Sequence, residues 1–151
     1  MQLEIRPGRA NDLAATEALL RSAGLPTDGV VDLLESQPPA FYFAIRGEEV
    51  IAAGGLEPAG SDALLRSIVV RAEDRSTGVG KQVVERLLEE ADSRELTGVY
   101  LLTTTADQWF PRFGFTRVDR ADVPMAVAET WEFKTGCAQT AIAMRRLRPG
   151  T

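Results

Sequence analysis

The residues best suited by type and spacing to do chemistry are Arg75-Ser76-Thr77-Gly78-Val79-Gly80-Lys81. They lie between an apolar run, Leu64 to Val70, and a segment whose Val79, Val83, Val84, Leu87, Leu88 and Ala91 keep helical spacing. Glycines at such a strand-to-helix junction let backbone N–H groups converge without Cβ obstruction. The first unpaired amides of the helix and its dipole then favour an anion such as a pyrophosphate. The match R-x-x-G-x-G is weak alone, and a glycine helix entry that binds nothing reads the same way. Two other phosphate motifs fail by spacing. A Walker-type loop requires glycine where Arg75 stands and Ser/Thr where Gln82 stands, and the dinucleotide fingerprint requires glycine at Val83.

Arg66 interrupts the apolar run, and alternation puts it on one face with Leu64, Ile68 and Val70. A buried unpaired guanidinium costs several kcal/mol, so a partner or an open cavity is expected. If 50–57 and 63–70 form a hairpin, Gly54-Gly55 leave Arg66 room and Glu57 is near enough to pair with it. The alternatives are an internal Arg66–Glu57 ion pair, or a fork for a carboxylate-bearing acceptor with Glu57 as the nearest base. Trp109, Phe110, Phe113 and Phe115 read as core rather than as a ligand cage. Cys137 reads as a small buried hydrophobe or, if the tail folds over the site, as a proton donor.

What positions these residues is an alternation of strands and helices. Leu3-Glu4-Ile5 forms a strand, and a helix from about Asn11 ends at Gly24. Thr27-Asp28 can cap a second helix that Pro38-Pro39 ends. Strands follow at 41–45, 50–53 and 63–70, then the helix after Gly80. Val99 to Thr104 is a near-continuous apolar strand, as expected of one covered on both faces. A short helix with Trp109 and Phe110, a capped segment near Asp122-Val123-Pro124 and a last strand at 141–144 complete the order. The expectation is an α/β (α+β) domain: a mixed twisted sheet of six to seven strands with helices on both faces, one domain over 1–151.

Composition limits the function. The 151 residues carry 17 basic and 22 acidic side chains, a net charge of −5, which argues against a phosphate-neutralising nucleic-acid binder and a basic membrane module. Fifteen of the 17 basic residues are arginines; only Lys81 and Lys134 are not. There is no histidine, so Ser-His-Asp and Cys-His arrangements and histidine-ligated metals are excluded. A single cysteine excludes an intramolecular disulfide and CxxC zinc patterns, and no metal is expected. No apolar run approaches twenty residues and the N-terminus lacks a signal-peptide order, so a cytoplasmic protein is expected.

The segment LLRSIVVRAEDRSTGVGKQVVERLL resembles the cofactor motif of GNAT-type N-acetyltransferases: strand, turn, R/Q-x-x-G-x-G/A, helix. ADQWFPRFGF is similar to that family's helix-then-GF segment, and the opening strand with RPGRANDL resembles its first elements. YLLTTTADQWFPRFGF and AETWEFKTGCAQTAIAMRR are similar to small acetyltransferases encoded with arsenic-resistance genes. LLTT…WF…FGF resembles the acetyltransferase domain of N-acetylglutamate synthases. The resemblance implies the GNAT fold and acetyl-CoA as donor. Amides of Ser76, Thr77, Gly78, Val79, Gly80 and Lys81 would hold the pyrophosphate, with Arg75 also binding the cofactor. The edge Ile68, Val69 and Val70 would pair with the pantetheine, which leaves the next strand near Thr103 and Thr104. Phe110 stands where many members place a proton-donating tyrosine; it would line the cofactor but cannot donate. The acceptor implied is a small amino-acid-like amine, held by Arg66 and Thr103, with Glu57 as candidate base and a role in resistance to arsenic or other toxic compounds. The alternatives are a protein N-terminal or lysine acetyltransferase, and a catalytically weak acyl-CoA-binding regulatory module. Neither nucleic acid nor membrane is an expected partner, and a homodimer is left open.

Overall fold

The computed structural model describes residues 3–136 and 140–150. Strand β1 (Leu3–Pro7) leads through a 3-10 turn into helix α1 (Leu13–Ser22). Gly24, at φ +71°, ends that helix as its spacing predicts. The Leu25 N–H donates to the Leu20 carbonyl at 2.9 Å and the Gly24 N–H to Arg21 at 3.0 Å, closing the last turn twice. Helix α2 (Val30–Glu35) starts later than Thr27-Asp28 suggests. Its N-cap is Gly29, at φ +78° and without a side-chain cap, because the Asp28 carbonyl is engaged elsewhere, as described below.

The strands are β2 (Phe41–Arg46), β3 (Glu49–Ala59), β4 (Asp62–Val70), β5 (Gly98–Thr103), β6 (Thr116–Arg117) and β7 (Ile142–Leu147). With β1 they form a seven-stranded sheet in the order β1-β2-β3-β4-β5-β7-β6. β4 and β5 run parallel, with Ala63 opposite Val99 and Leu64 opposite Tyr100. The pairs β1/β2, β2/β3, β5/β7 and β6/β7 are antiparallel. The mixed sheet expected from the sequence is therefore present. Helix α3 (Val79–Ser93) follows β4, and the short α4 (Met125–Ala128) precedes β7. None of the described helices is long and apolar enough to cross a membrane.

β3 outruns the expected 50–53. Gly54 and Gly55 prolong it rather than break it, because each admits a side chain against the backbone. A Cβ on Gly54 would lie 2.5 Å from Ile68 Cδ1, beside Val83 and Leu87 of α3; one on Gly55 would lie 2.9 Å from Phe41, beside Leu33 of α2. Successive strand residues face opposite ways, so α3 and α2 cover opposite faces of β3.

Contacts divide the chain into two units, Met1–Leu56 with Arg66–Glu90, and Glu57–Leu65 with Ala91–Thr151; β3, β4 and α3 each run from one into the other. In the first, Leu20, Val30, Leu33, Leu34, Phe41, Phe43, Ala53 and Val69 form one buried cluster. Val83, Val84, Leu87 and Leu88 of α3 are buried while Glu85 and Glu89 are exposed, the amphipathic pattern expected. In the second, Val127 of α4 packs with Ala59 and Tyr100. Phe110 and Phe115 are buried there in edge-on contact, with centroids 5.7 Å apart.

Candidate functional site

In the first unit, the polar pair Arg66-Ser67 interrupts the apolar run Leu64 to Val70 of β4. Ser67 has φ +60° and is buried, a left-handed backbone that costs a non-glycine residue about 1–2 kcal/mol. This reversal breaks the alternation. Ile68 packs on the α3 side against Gly54, whereas Val69 joins the cluster of Leu20 and Val30 on the other. Arg66 also turns to the α2 side. Its Nη2 donates to the Asp28 carbonyl, and its Nε donates to Ser67 Oγ at 3.2 Å. The expectation that Arg66 shares a face with Ile68 is thus corrected, and so is the room assigned to it at Gly54-Gly55, which Ile68 and Phe41 fill. Room comes instead from Gly29, where a Cβ would stand 3.3 Å from Arg66 Nη1. Arg66 is only 3% exposed. The Asp28-Gly29 dipeptide is a turn signal that marks this loop; nothing in Leu64 to Val70 beyond its two polar residues marks the left-handed Ser67.

Past β4 a 3-10 turn (Ala72–Asp74) carries the chain into the glycine loop. Arg75, Ser76, Thr77 and Gly78 are exposed, and Val79 and Gly80 are buried where α3 begins. Ser76 at φ +68° and Gly78 at φ +87° are both left-handed, which turns successive N–H groups toward one side. A Cβ on Gly78 would meet nothing within 4 Å, so the space beside it is open. Arg75 Nε lies 3.3 Å from the Val70 carbonyl, and Lys81 is exposed in the first turn of α3. Open space, left-handed amides, a helix N-terminus and two cations fit a pyrophosphate.

The base of the loop is charged. Asp74 accepts from Arg46 Nη1 at 2.6 Å and Arg71 Nε at 2.8 Å. The Arg46 hydrogen bond, followed by that of Arg71, holds its carboxyl below the ordinary carboxylate range. Glu49 and then Asp74 push the Arg71 guanidinium up.

The remaining expected site residues belong to the second unit, apart from Ile68 to Val70 and the loop. Glu57 is half-buried in β3 and Thr104 is exposed. Thr103 Oγ1 accepts from the Ala106 N–H at 2.9 Å and the Thr105 N–H at 3.4 Å, closing the turn after β5. Phe110 packs edge-on against Trp109. Of the other proton donors considered, Tyr42 donates its hydroxyl to Glu90 Oε1 at 2.9 Å, Tyr100 is buried, and Cys137 lies outside the described residues. Among the described residues no cluster of three or more Cys, Asp or Glu side chains could hold a metal.

A family model described as an acetyltransferase (GNAT) domain matches residues 37–117, more than half of the chain and the whole of β2 to β6. The chain belongs to the GNAT acetyltransferase family. Among relatives of this GNAT chain, the amino-acid acetyltransferase of Escherichia coli (strain K12) is 25% identical over 138 residues. The alignment covers 87% of this chain and 31% of that protein, so the chain spans about a third of the length of the curated relatives it matches. Among solved structures, Rv2747 from Mycobacterium tuberculosis in complex with CoA superposes with a TM-score of 0.79 at 20% identity, covering 95% of this chain and 98% of that one. N-acetylglutamate synthase from Neisseria gonorrhoeae, complexed with coenzyme A and N-acetyl-glutamate, gives 0.80 at 15% identity, covering 97% of this chain and 35% of that one. These likenesses establish the GNAT fold, a family whose acyl donor is acetyl-CoA and which uses no metal.

Proposed function

We propose that this chain transfers an acetyl group from acetyl-CoA to the amine of a small amino-acid-like acceptor. The observation that carries the acceptor class is Arg66: a buried guanidinium, held against the Asp28 carbonyl, two residues before the strand segment assigned to the donor. The amides of Ser76 to Lys81 bind the pyrophosphate, with Arg75 and Lys81 beside them. The edge of Ile68 to Val70 pairs with the pantetheine, and an N–H of that edge donates to the acetyl oxygen as it gains charge. Thr104 and Phe110 line the donor. When bound, acetyl-CoA supplies a thioester that the acceptor amine attacks directly, forming C–N and breaking C–S. Arg66 binds the acceptor's carboxylate; Thr103 is assigned to acceptor binding and Glu57 to taking the amine's proton. Phe110 has no proton to give and Tyr42 spends its own on Glu90. In this reading water protonates the thiolate, an adequate leaving group because thiols ionise near pH 8 to 9. The similarity to amino-acid acetyltransferases supports the same acceptor class, and arsenic-bearing amino acids belong to it by chemistry.

The test is thiol release over a panel of amino acids, their decarboxylated amines and arsenic-bearing amino acids, with wild type and Arg66→Ala. Carboxylate-bearing acceptors should be preferred. Arg66→Ala should raise the acceptor KM about ten- to a hundredfold, the worth of a charge-assisted pair, while the KM for acetyl-CoA stays within about twofold. A variant that melts lower yet keeps wild-type acceptor kinetics assigns Arg66 to holding Asp28 alone and overturns the fork.

A further inference from the structure

Asp74 stands where the glycine loop leaves the sheet. Its side chain is 6% exposed and is gripped by Arg46 of β2 at 2.6 Å and by Arg71, at the end of β4, at 2.8 Å. Arg71 is tied in turn to β3, through its ion pair with Glu49 and through its N–H, which donates to the Ile51 carbonyl at 2.7 Å. The Asp74 carbonyl meanwhile accepts from both the N–H and the hydroxyl of Thr77, in the middle of the loop. One residue thus joins β2, β3 and β4 on its side-chain side to the loop on its main-chain side. Arg75 to Gly78 are exposed, so apolar packing does not shape them. The loop is fixed at its ends, by buried Val79 and by Asp74.

We propose that Asp74 is the positioning residue for the pyrophosphate of CoA, holding the loop amides in their binding arrangement through Arg46 and Arg71. The two arginines have a second effect. An uncompensated carboxylate beneath an anion site would repel the phosphates, and here Arg46 and Arg71 pair with it, Arg71 being shared with Glu49 and Glu73. This role rests on the reading of residues 75–81 as the pyrophosphate loop, and the experiment separates the two. Dissociation constants are measured for CoA and for pantetheine, which lacks the pyrophosphate and nucleotide, with wild type, Asp74→Asn and Arg46→Gln. Asp74→Asn should weaken CoA about tenfold or more and leave pantetheine within about twofold. Arg46→Gln, which keeps the Arg71 pair, should shift CoA in the same direction by less, and it carries the test if Asp74→Asn does not fold. A general loss of structure would weaken both ligands alike and would overturn the proposal, as would an unchanged CoA affinity in both variants. A wild type that binds CoA no better than pantetheine fails at the loop reading itself. A wild-type preference for CoA that is undiminished in Asp74→Asn overturns the role of Asp74 alone.

Discussion

Ser67 shows how one residue redirects a strand. Its left-handed backbone sends Arg66 toward Asp28 and Ile68 toward α3, where simple alternation puts both on one face. Period-two reading is a sound rule for an uninterrupted strand, and one backbone reversal invalidates it from that point on. Ser67→Gly removes the conformational penalty but also the acceptor for Arg66 Nε, so stability should stay within about 1 kcal/mol of wild type. Ser67→Val places a β-branched residue at positive φ and should cost about 2 kcal/mol or more. Denaturant melts of the two variants check the pair; equal stability would show that the left-handed position carries no strain. Carboxylates act at this scale too. Arg6 holds the Asp12 carboxyl below its ordinary range, as Arg46 does that of Asp74. Depressed folded-state values mean that these groups stabilise the fold above about pH 4, and that the contribution fades as pH falls through the folded-state values. Asp62 works in the opposite sense. Burial raises its carboxyl, so its contribution is greatest in acid and is lost as pH rises past its folded-state value. Melts from pH 7 down to about pH 2.5 should show stability falling below pH 4, less steeply in Asp74→Asn. An identical acid slope in that variant would contradict the assignment.

Among the elements, the loop before α2 departs from what its own residues favour. Thr27 and Asp28 have side chains suited to capping, yet Gly29 takes the cap position because Arg66 claims the Asp28 carbonyl and needs the space a side chain would fill. That competition comes from β4, 38 residues away, and no local pattern contains it. Gly29→Ala meets both a positive φ and a Cβ 3.3 Å from the guanidinium. It should destabilise the protein by about 1–2 kcal/mol and raise the acceptor KM together with it; a melt with a full acceptor titration reads both. Wild-type values for both would detach the loop from Arg66. By contrast, the Gly24 terminus of α1, the amphipathic α3 and the strand–loop–helix around Gly78 follow from short-range spacing, and each stands where that spacing puts it. The room that Gly54-Gly55 offer is taken by Ile68 and Phe41 rather than by Arg66, a choice made by neighbours on other strands that no local spacing contains.

For the molecule as a whole, element order and the mixed sheet were legible because each element carries its own periodicity. The division into two units was not, since it depends on which residues meet rather than on what they are. Charge poses the remaining whole-molecule question. A chain of net charge −5 has no general attraction for an anionic cofactor, and screening limits distant charges to about 8–10 Å. On the proposed reading the attraction for the phosphates comes from the loop: its amides, Arg75 and Lys81. Calorimetric titration of CoA into wild type and Gly78→Val measures this most directly. The expected result is saturable binding to wild type and a loss of at least about tenfold in the variant, since a branched side chain would occupy the open side of Gly78 at a φ it tolerates poorly. Equal CoA affinity in wild type and Gly78→Val, or no binding to the wild-type protein, would contradict it.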